Sequence, residues 1–270
     1  MPIKTIYGSE QFLRGCTLPT HGKSYTVIPH GTVIDEARVQ LANAGFKITN
    51  EFYKSTLSGD VAQGIYHLES GNDPDMGLMF VWSNSYNKTM AFKCAIGGQV
   101  FICMNGVVSG NLGSYRRRHS GSALADVATS MQEQIADASK YYDNLIKDKQ
   151  MLKDITLSPR QKGSLLGRLF AEDEILTLTQ VGIVKREIDK PSFSYSSNPD
   201  SAWDMYNHIT LALKDSHPMS YLSDHQRVHS FFVNEFGNLV TKTNTIEETV
   251  IVEALVMEEE LVADFGVNFL

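Results

Sequence analysis

The sequence predicts an α+β fold: an antiparallel β-meander with a long helix packed across it and a helical C-terminal half. The period of the apolar residues changes twice. It is helical up to Gly45, alternates with a period of about 2 from residue 46 to near residue 103, and is helical again from Leu124 onward. Clusters of turn-forming residues punctuate the alternating stretch, and no solenoid-length repeat competes with this reading. Residues 1–150 are expected to hold the sheet and the long helix, 151–240 a helical region, and 241–270 an acidic C-terminal segment.

The N-terminal arm "TLPTHGKSYTVIPHG" carries Pro19, Pro29 and several glycines, and reads as extended structure leading into a helix. Thr32 is the expected N-cap of that helix; Val33, Ile34, Ala37, Leu41 and Ala44 form its apolar stripe and Gly45 stops it. The segments "FKITNEFYKSTL", "DVAQGIYHLE", "GLMFVWS" and "TMAFKCAI" follow as antiparallel strands. Gly97-Gly98 is the best short hairpin signal, because adjacent glycines readily take the positive φ of a primed turn. A turn there would set Cys94 opposite Phe101 and Cys103 opposite Phe92.

Leu124, Val127, Met131, Ile135, Ala138, Tyr142 and Leu145 then mark one stripe of a helix of about 25 residues, capped by Ser122, with Asp126 complementing its dipole. Ser158-Pro159 opens another helix, and a second runs near residues 173–188. "KPSFSYSSNPD" is a loop before a helix with Trp203, Tyr206, Ile209, Thr210 and Leu213. A last helix with Val228, Phe231, Phe232 and Phe236 stops at Gly237.

Composition narrows the function classes. Of 270 residues 42% are hydrophobic and 20% charged, which suits a globular chain. Apolar runs fall well short of the roughly 18 residues of a membrane span, and "MPIKTIYGSE" is unlike a signal peptide, so a cytoplasmic protein without membrane contact is expected. Cys16, Cys94 and Cys103 form no CxxC pair, which argues against a disulfide framework or thiolate zinc site. The net charge of −7 is concentrated: residues 241–270 carry seven acids against Lys242, or −6, leaving −1 on the first 240 residues. A local basic stripe is compatible with such a body.

That stripe is "GSYRRRHSGSALAD". Arg116, Arg117, Arg118 and His119 stand just before the long helix, whose N-terminus offers free N–H groups and partial positive charge. Arginine forks grip phosphate bidentately. The stripe is therefore either a phosphate-backbone contact or a solvated connection that pairs with another subunit's carboxylates. Tyr115 adjoins it, Tyr141 and Tyr142 follow, and Trp82 and Tyr86 lie near a turn with Lys88; aromatics beside cations suit base stacking, although strand aromatics more often form core.

Catalytic patterns are incomplete. The glycines of "NGVVSGNLG" match neither a dinucleotide fingerprint nor a P-loop. His225 and His229 have helical spacing but lack a third ligand beyond Asp224 or Glu235, and read as two surface histidines beside an apolar stripe. Cys103 with His119 would need an electropositive, accessible setting. No enzyme, metal or cofactor is expected.

"YTVIPHGTVIDEARVQLANAGFK", "WSNSYNKTMAFKC", "GGQVFICMNGVVSGNLGSYRRRHSGS" and "SAWDMYNHIT" together resemble the phage- and plasmid-encoded family of domain of unknown function 932, over roughly residues 25 to 236. Where its prophage members have N-S-H-D-G-T, this chain has Asn84-Ser85-Tyr86-Asn87-Lys88-Thr89, so a role for that histidine or aspartate cannot apply. Asn87 can still take a turn conformation. The resemblance implies a mobile-element setting in a bacterial host cytoplasm. The order of helix, meander and long helix is also similar to Rad-fifty-two-like single-strand annealing proteins, a likeness of architecture alone.

The expectation is a non-enzymatic phage or plasmid protein that binds single-stranded DNA, as a homo-oligomer active in strand annealing and recombination. Arg116, Arg117, Arg118 and Lys88 would contact phosphates, assisted by His119 and Tyr115. The alternative is a protein-interaction module that modulates host or competitor defence systems, with the acidic segment 241–270 reaching a host protein; that segment's "TVIVEALV" also reads as a strand or subunit contact. A hydrolase using His119 with Asn84 and Asn105 ranks below both.

Overall fold

The computed structural model describes residues 5–20, 26–69, 73–102, 105–107, 114–117 and 123–237. The chain divides into two units, 1–230 and 231–270. In the second, 231–237 are helical, with the Phe231 and Phe232 rings 5.8 Å apart and Phe232 equally far from Phe236.

The first unit is α+β. A short strand β1 (Thr5–Gly8) and helix α1 (Glu10–Arg14) precede α2 (His30–Asn43). The meander follows as β2 (Ile48–Thr56), β3 (Val61–Leu68), β4 (Met76–Ser85) and β5 (Phe92–Val100). β6 (Asn105–Val107) and β7 (Ser114–Arg117) both pair with β5, completing a seven-stranded sheet whose described pairings are all antiparallel. α3 (Ala123–Ala136) and α4 (Ala138–Asp154) come next, then α5 (Pro159–Gly167), a π turn (Arg168–Glu172), α6 (Leu178–Asp189), α7 (Ala202–Ala212) and a helical stretch from 221.

Several predicted boundaries move for physical reasons. α2 starts at His30, with Pro29 in the cap position, so Thr32 lies in the first turn and does not cap. Its end is as expected: Gly45 takes φ 82°, and Phe46 N–H donates to Leu41 O at 2.9 Å. Gly97-Gly98 is not a turn; β5 runs straight through both residues. A Cβ on Gly97 would lie 2.5 Å from Val107 O, and one on Gly98 2.8 Å from Met76 Sδ, so these glycines admit close neighbours. Cys94 therefore faces Trp82 and Tyr115 across the ladder, not Phe101, and Cys103 lies outside the described residues.

The long helix is helical over 123–154 except for a turn at Asp137. The break resets the stripe's phase: Val127, Met131 and Ile135 are buried before it, and Ala138, Tyr141, Leu145 and Leu152 after it, so Tyr141 replaces Tyr142 in the core. Its predicted cap, Ser122, lies outside the described residues. Capping boxes open α5 (Ser158 with Gln161) and α6 (Thr177 with Gln180), which moves the α6 start from 173 to 178.

The sheet is covered on both faces. On one, α1–α4 contribute Leu13, Ile34, Leu41, Met131 and Tyr141 to a core with Tyr66, Phe80, Trp82 and Ile96. On the other, Tyr221 and Leu222 pack on Ile65, Met79, Val81 and Ala95. Ion pairs pin elements at the margins. Arg38 binds both Glu10 and Glu51, joining α1, α2 and β2, and its guanidinium holds the Glu10 carboxyl down to about 2.

Lys149 of α4 donates to both carboxylate oxygens of Asp73 at 2.7 and 2.5 Å, with 5% of its side chain exposed. Lys149→Ala is expected to lower stability by about 2–3 kcal/mol, below the roughly 3–5 of a fully buried pair, because Asp73 keeps backbone N–H donors from Asp75 and Met76. An unchanged urea midpoint would show that the pair does not hold α4 to the β3–β4 connection.

Candidate nucleic-acid interface

The register across the sheet assembles charges that are far apart in sequence. Lys54 of β2 is opposite Gln63, Gln63 opposite Ser83, Ser83 opposite Lys93, and Lys93 opposite Arg116 of β7. One polar row thus crosses five strands. Its inner members are buried by the segment after α7: Lys54 Nζ donates to Lys214 O, and Ser83 Oγ to Pro218 O at 3.1 Å. Lys93 is half-buried, and its charge acts on Asp224, whose carboxyl burial pushes up and Arg227 and Lys93 pull down.

The β7 end of the row carries the predicted arginines Arg116 and Arg117. Arg116 is the partner of Lys93 and Arg117 of Phe92, so both predicted arginines belong to a strand and not to a free connection. The turn before β5 carries Lys88, exposed and held at φ 63°. Asn87 Oδ1 accepts from the backbone N–H of Thr89 at 3.1 Å and from its hydroxyl, which fixes the turn as expected, although the left-handed residue is Lys88. Tyr115 is on β7 opposite Cys94; Arg118 and His119 lie outside the described residues.

The left-handed conformation costs an L-residue about 1–2 kcal/mol. Lys88→Gly is therefore expected to keep the turn and raise stability by up to about 1 kcal/mol while removing the cation, as thermal melting would show. Destabilisation would mean that the lysine side chain holds the turn.

Four of the candidate aromatics, Trp82, Tyr86, Tyr141 and Tyr142, are buried or partly buried. Trp82 is fully buried, Tyr86 and Tyr141 nearly so, and Tyr142 donates to Met76 O at 2.5 Å. None of these four is a free stacking platform.

A polar cluster that sequence reasoning missed surrounds the Asn84–Thr89 segment. His30, fully buried at the start of α2, stacks on Tyr86 with ring centroids 4.0 Å apart, and its backbone N–H donates to Tyr86 Oη at 2.7 Å. His30 Nε2 lies 2.9 Å from Gly59 O, so this nitrogen carries the proton, and Nδ1 accepts from Asn84 Nδ2 at 3.0 Å. The same amide donates to Ile28 O. Asn84 is thus a buried brace between α2 and β4, with no exposure to a substrate. The conjunction of "IPHG" and "WSNSY" was the available signal, but their contact is a tertiary fact.

His225 and His229 are also buried, which corrects their surface reading. His229 Nε2 lies 3.1 Å from Asp148 Oδ2 and Nδ1 3.4 Å from Tyr206 Oη, linking three helices. His225 packs on Tyr221 with centroids 4.3 Å apart. Among the described residues no group of three His, Cys, Asp or Glu could hold a metal ion, and no helix is long and apolar enough to cross a membrane. Asn105 is on β6.

Fold and site together define an α+β protein whose antiparallel sheet is covered on both faces and sets Arg116 in register with Lys93 on β5. The chain belongs to the family described as Domain of unknown function (DUF932), whose model matches residues 17–219. No curated protein and no solved structure matches it, and the expected likeness to annealing proteins finds no support there.

Proposed function

We propose that this protein is a non-enzymatic, phage- or plasmid-encoded protein that binds single-stranded DNA at the β5–β7 corner, acting in the host cytoplasm as a homo-oligomer in strand annealing and recombination. The observation that carries this reading is the register that sets Arg116 opposite Lys93, with Arg117 at the next register position, opposite Phe92, and Lys88 in the turn before β5. Like charges directly opposite in an antiparallel pair oppose folding. Asp224 offsets part of that cost, and a phosphate backbone would lower it further. Arg118, His119 and Tyr115 continue the same stretch of sequence.

Labelled oligonucleotide is titrated at two salt concentrations. Each single-strand phosphate contact contributes about 0.7 to the slope of log affinity against log salt, so replacing Arg116, Arg117 and Arg118 by alanine should flatten it by about 2, and Lys88→Gly by about 0.7. Absence of binding at low salt overturns the reading. A monomer in sedimentation at the binding concentration overturns its oligomeric part.

The concentration of −6 in residues 241–270 favours a second reading, a protein-interaction module that modulates host or competitor defence systems through that segment. DNA binding with an unchanged salt slope in the triple variant would move the DNA contact elsewhere. No DNA binding would promote the second reading.

A further inference from the structure

On the sheet face away from α2 and α3, Phe52, Lys54, Ile65, His67, Met79 and Tyr221 enclose a cavity of about 190 Å³. The space depends on Gly106 of β6: a Cβ there would lie 2.5 Å from Tyr221 Oη and 2.8 Å from Met79 Cε. At roughly 30 Å³ per water molecule the cavity has the volume of about six waters, the size of a benzene ring with a short acidic arm.

The lining selects a chemistry. Phe52, Ile65, Met79 and the Tyr221 ring give apolar and aromatic walls, and the charged residues among the described lining, Lys54 and Lys214, are both cations. Lys54 Nζ sits 4.9 Å from the Tyr221 ring centroid. His67 is 6% exposed, packs on Phe52 with centroids 4.9 Å apart and lines the cavity. Burial pushes its pKa down to about 4, so near neutral pH it offers one N–H and one lone pair. A polar ring on an otherwise apolar wall offers an acceptor in the cavity a hydrogen-bond partner. A flat apolar body with a single anionic group meets each of these features. A phosphate monoester, which calls for forked donors, meets fewer, because the lining has no arginine among the described residues.

We propose that this cavity binds a small aromatic monocarboxylate, with the carboxylate between Lys54 and the His67 N–H and the ring between Phe52, Ile65 and Met79. The site is separate from the β5–β7 corner, and its occupancy braces the segment from Lys214 to Tyr221 against the sheet.

The test titrates the full chain with phenylacetate, phenylacetamide and inorganic phosphate, following the His67 ring signals by NMR and the melting temperature. Phenylacetate is expected to shift the His67 signals and raise the melting temperature, while phenylacetamide binds at least about tenfold more weakly. His67→Phe should weaken phenylacetate binding about tenfold, and Lys54→Met should abolish it. Should Lys54→Met fail to fold for want of its bond to Lys214 O, His67→Phe and the amide comparison decide. The proposal is overturned if phenylacetate leaves His67 unmoved at ~10 mM, if the amide binds equally well, if His67→Phe binds phenylacetate as tightly as the parent, or if phosphate displaces phenylacetate from His67.

Discussion

Gly64→Ala is expected to destabilise the protein by about 3 kcal/mol, lowering its melting temperature by roughly 6–12 °C. A Cβ on Gly64 would lie 2.4 Å from Trp82 Nε1, 2.5 Å from Cε2 and 2.7 Å from Cζ2. Gly64 and Trp82 are direct cross-strand partners, and the indole lies over the bare glycine backbone. The ring cannot swing away: Trp82 is fully buried, and its Nε1–H donates to Tyr66 Oη at 3.2 Å. Accommodation would have to come from β3 or from the layer of α2 and α3 above. In the double variant Gly64→Ala/Trp82→Phe the smaller ring removes the clash, so its loss should fall short of the sum of the two single losses by at least about 1 kcal/mol. Thermal melting of the four proteins measures this. A Gly64→Ala variant within about 0.5 kcal/mol of the parent would show that Trp82 is not seated on Gly64.

Gly64 also shows where sequence reasoning succeeds and where it stops. Alternating polarity and turn clusters are local, and the four central strands lie where "FKITNEFYKSTL", "DVAQGIYHLE", "GLMFVWS" and "TMAFKCAI" put them. Glycine is ambiguous, because the missing Cβ serves a turn and a close neighbour equally well. Gly97-Gly98 reads as a hairpin until Val107 and Met76 are seen against it. Polar residues on alternate strand positions are ambiguous too. Lys54, Gln63 and His67 look like a solvent face, which a one-sided antiparallel sheet would have. Here the segment from Lys214 to Leu222 covers that face, so those residues become a buried row and a cavity lining. The arginine stripe was legible as a cluster, but its pairing with Lys93 depends on a strand of four residues between two stretches outside the described ones.

Buried neutral histidines make the stability strongly dependent on acid. His225 is held down to about 3, first by burial and then by the Lys54 charge, and His67 to about 4 by burial; His208 and His217 shift in the same direction. In the unfolded chain these groups titrate near 6.5, so below that pH the unfolded state binds more protons and stability falls. His225 and His67 each contribute a slope of up to about 1.4 kcal/mol per pH unit, between 6.5 and their folded values. Two such slopes from pH 6.5 to 4 approach the whole stability of an ordinary domain, about 5–15 kcal/mol. The lowered carboxyl of Glu10 adds in the same sense once pH falls below 4.5 toward 2, discounted by its exposure. Asp224 acts oppositely: its pKa is raised by burial, so the stability it contributes is present in acid and lost as pH rises through the folded value. The net expectation is a urea midpoint that is flat near pH 7–8 and drops steeply from about pH 6 to 4, well before most carboxylates titrate. His225→Phe should remove roughly half of that drop while keeping the ring contact with Tyr221. An equally steep drop in His225→Phe, or a parent protein whose midpoint is flat down to pH 4.5, would place the acid sensitivity in the carboxylate networks and not in the buried rings.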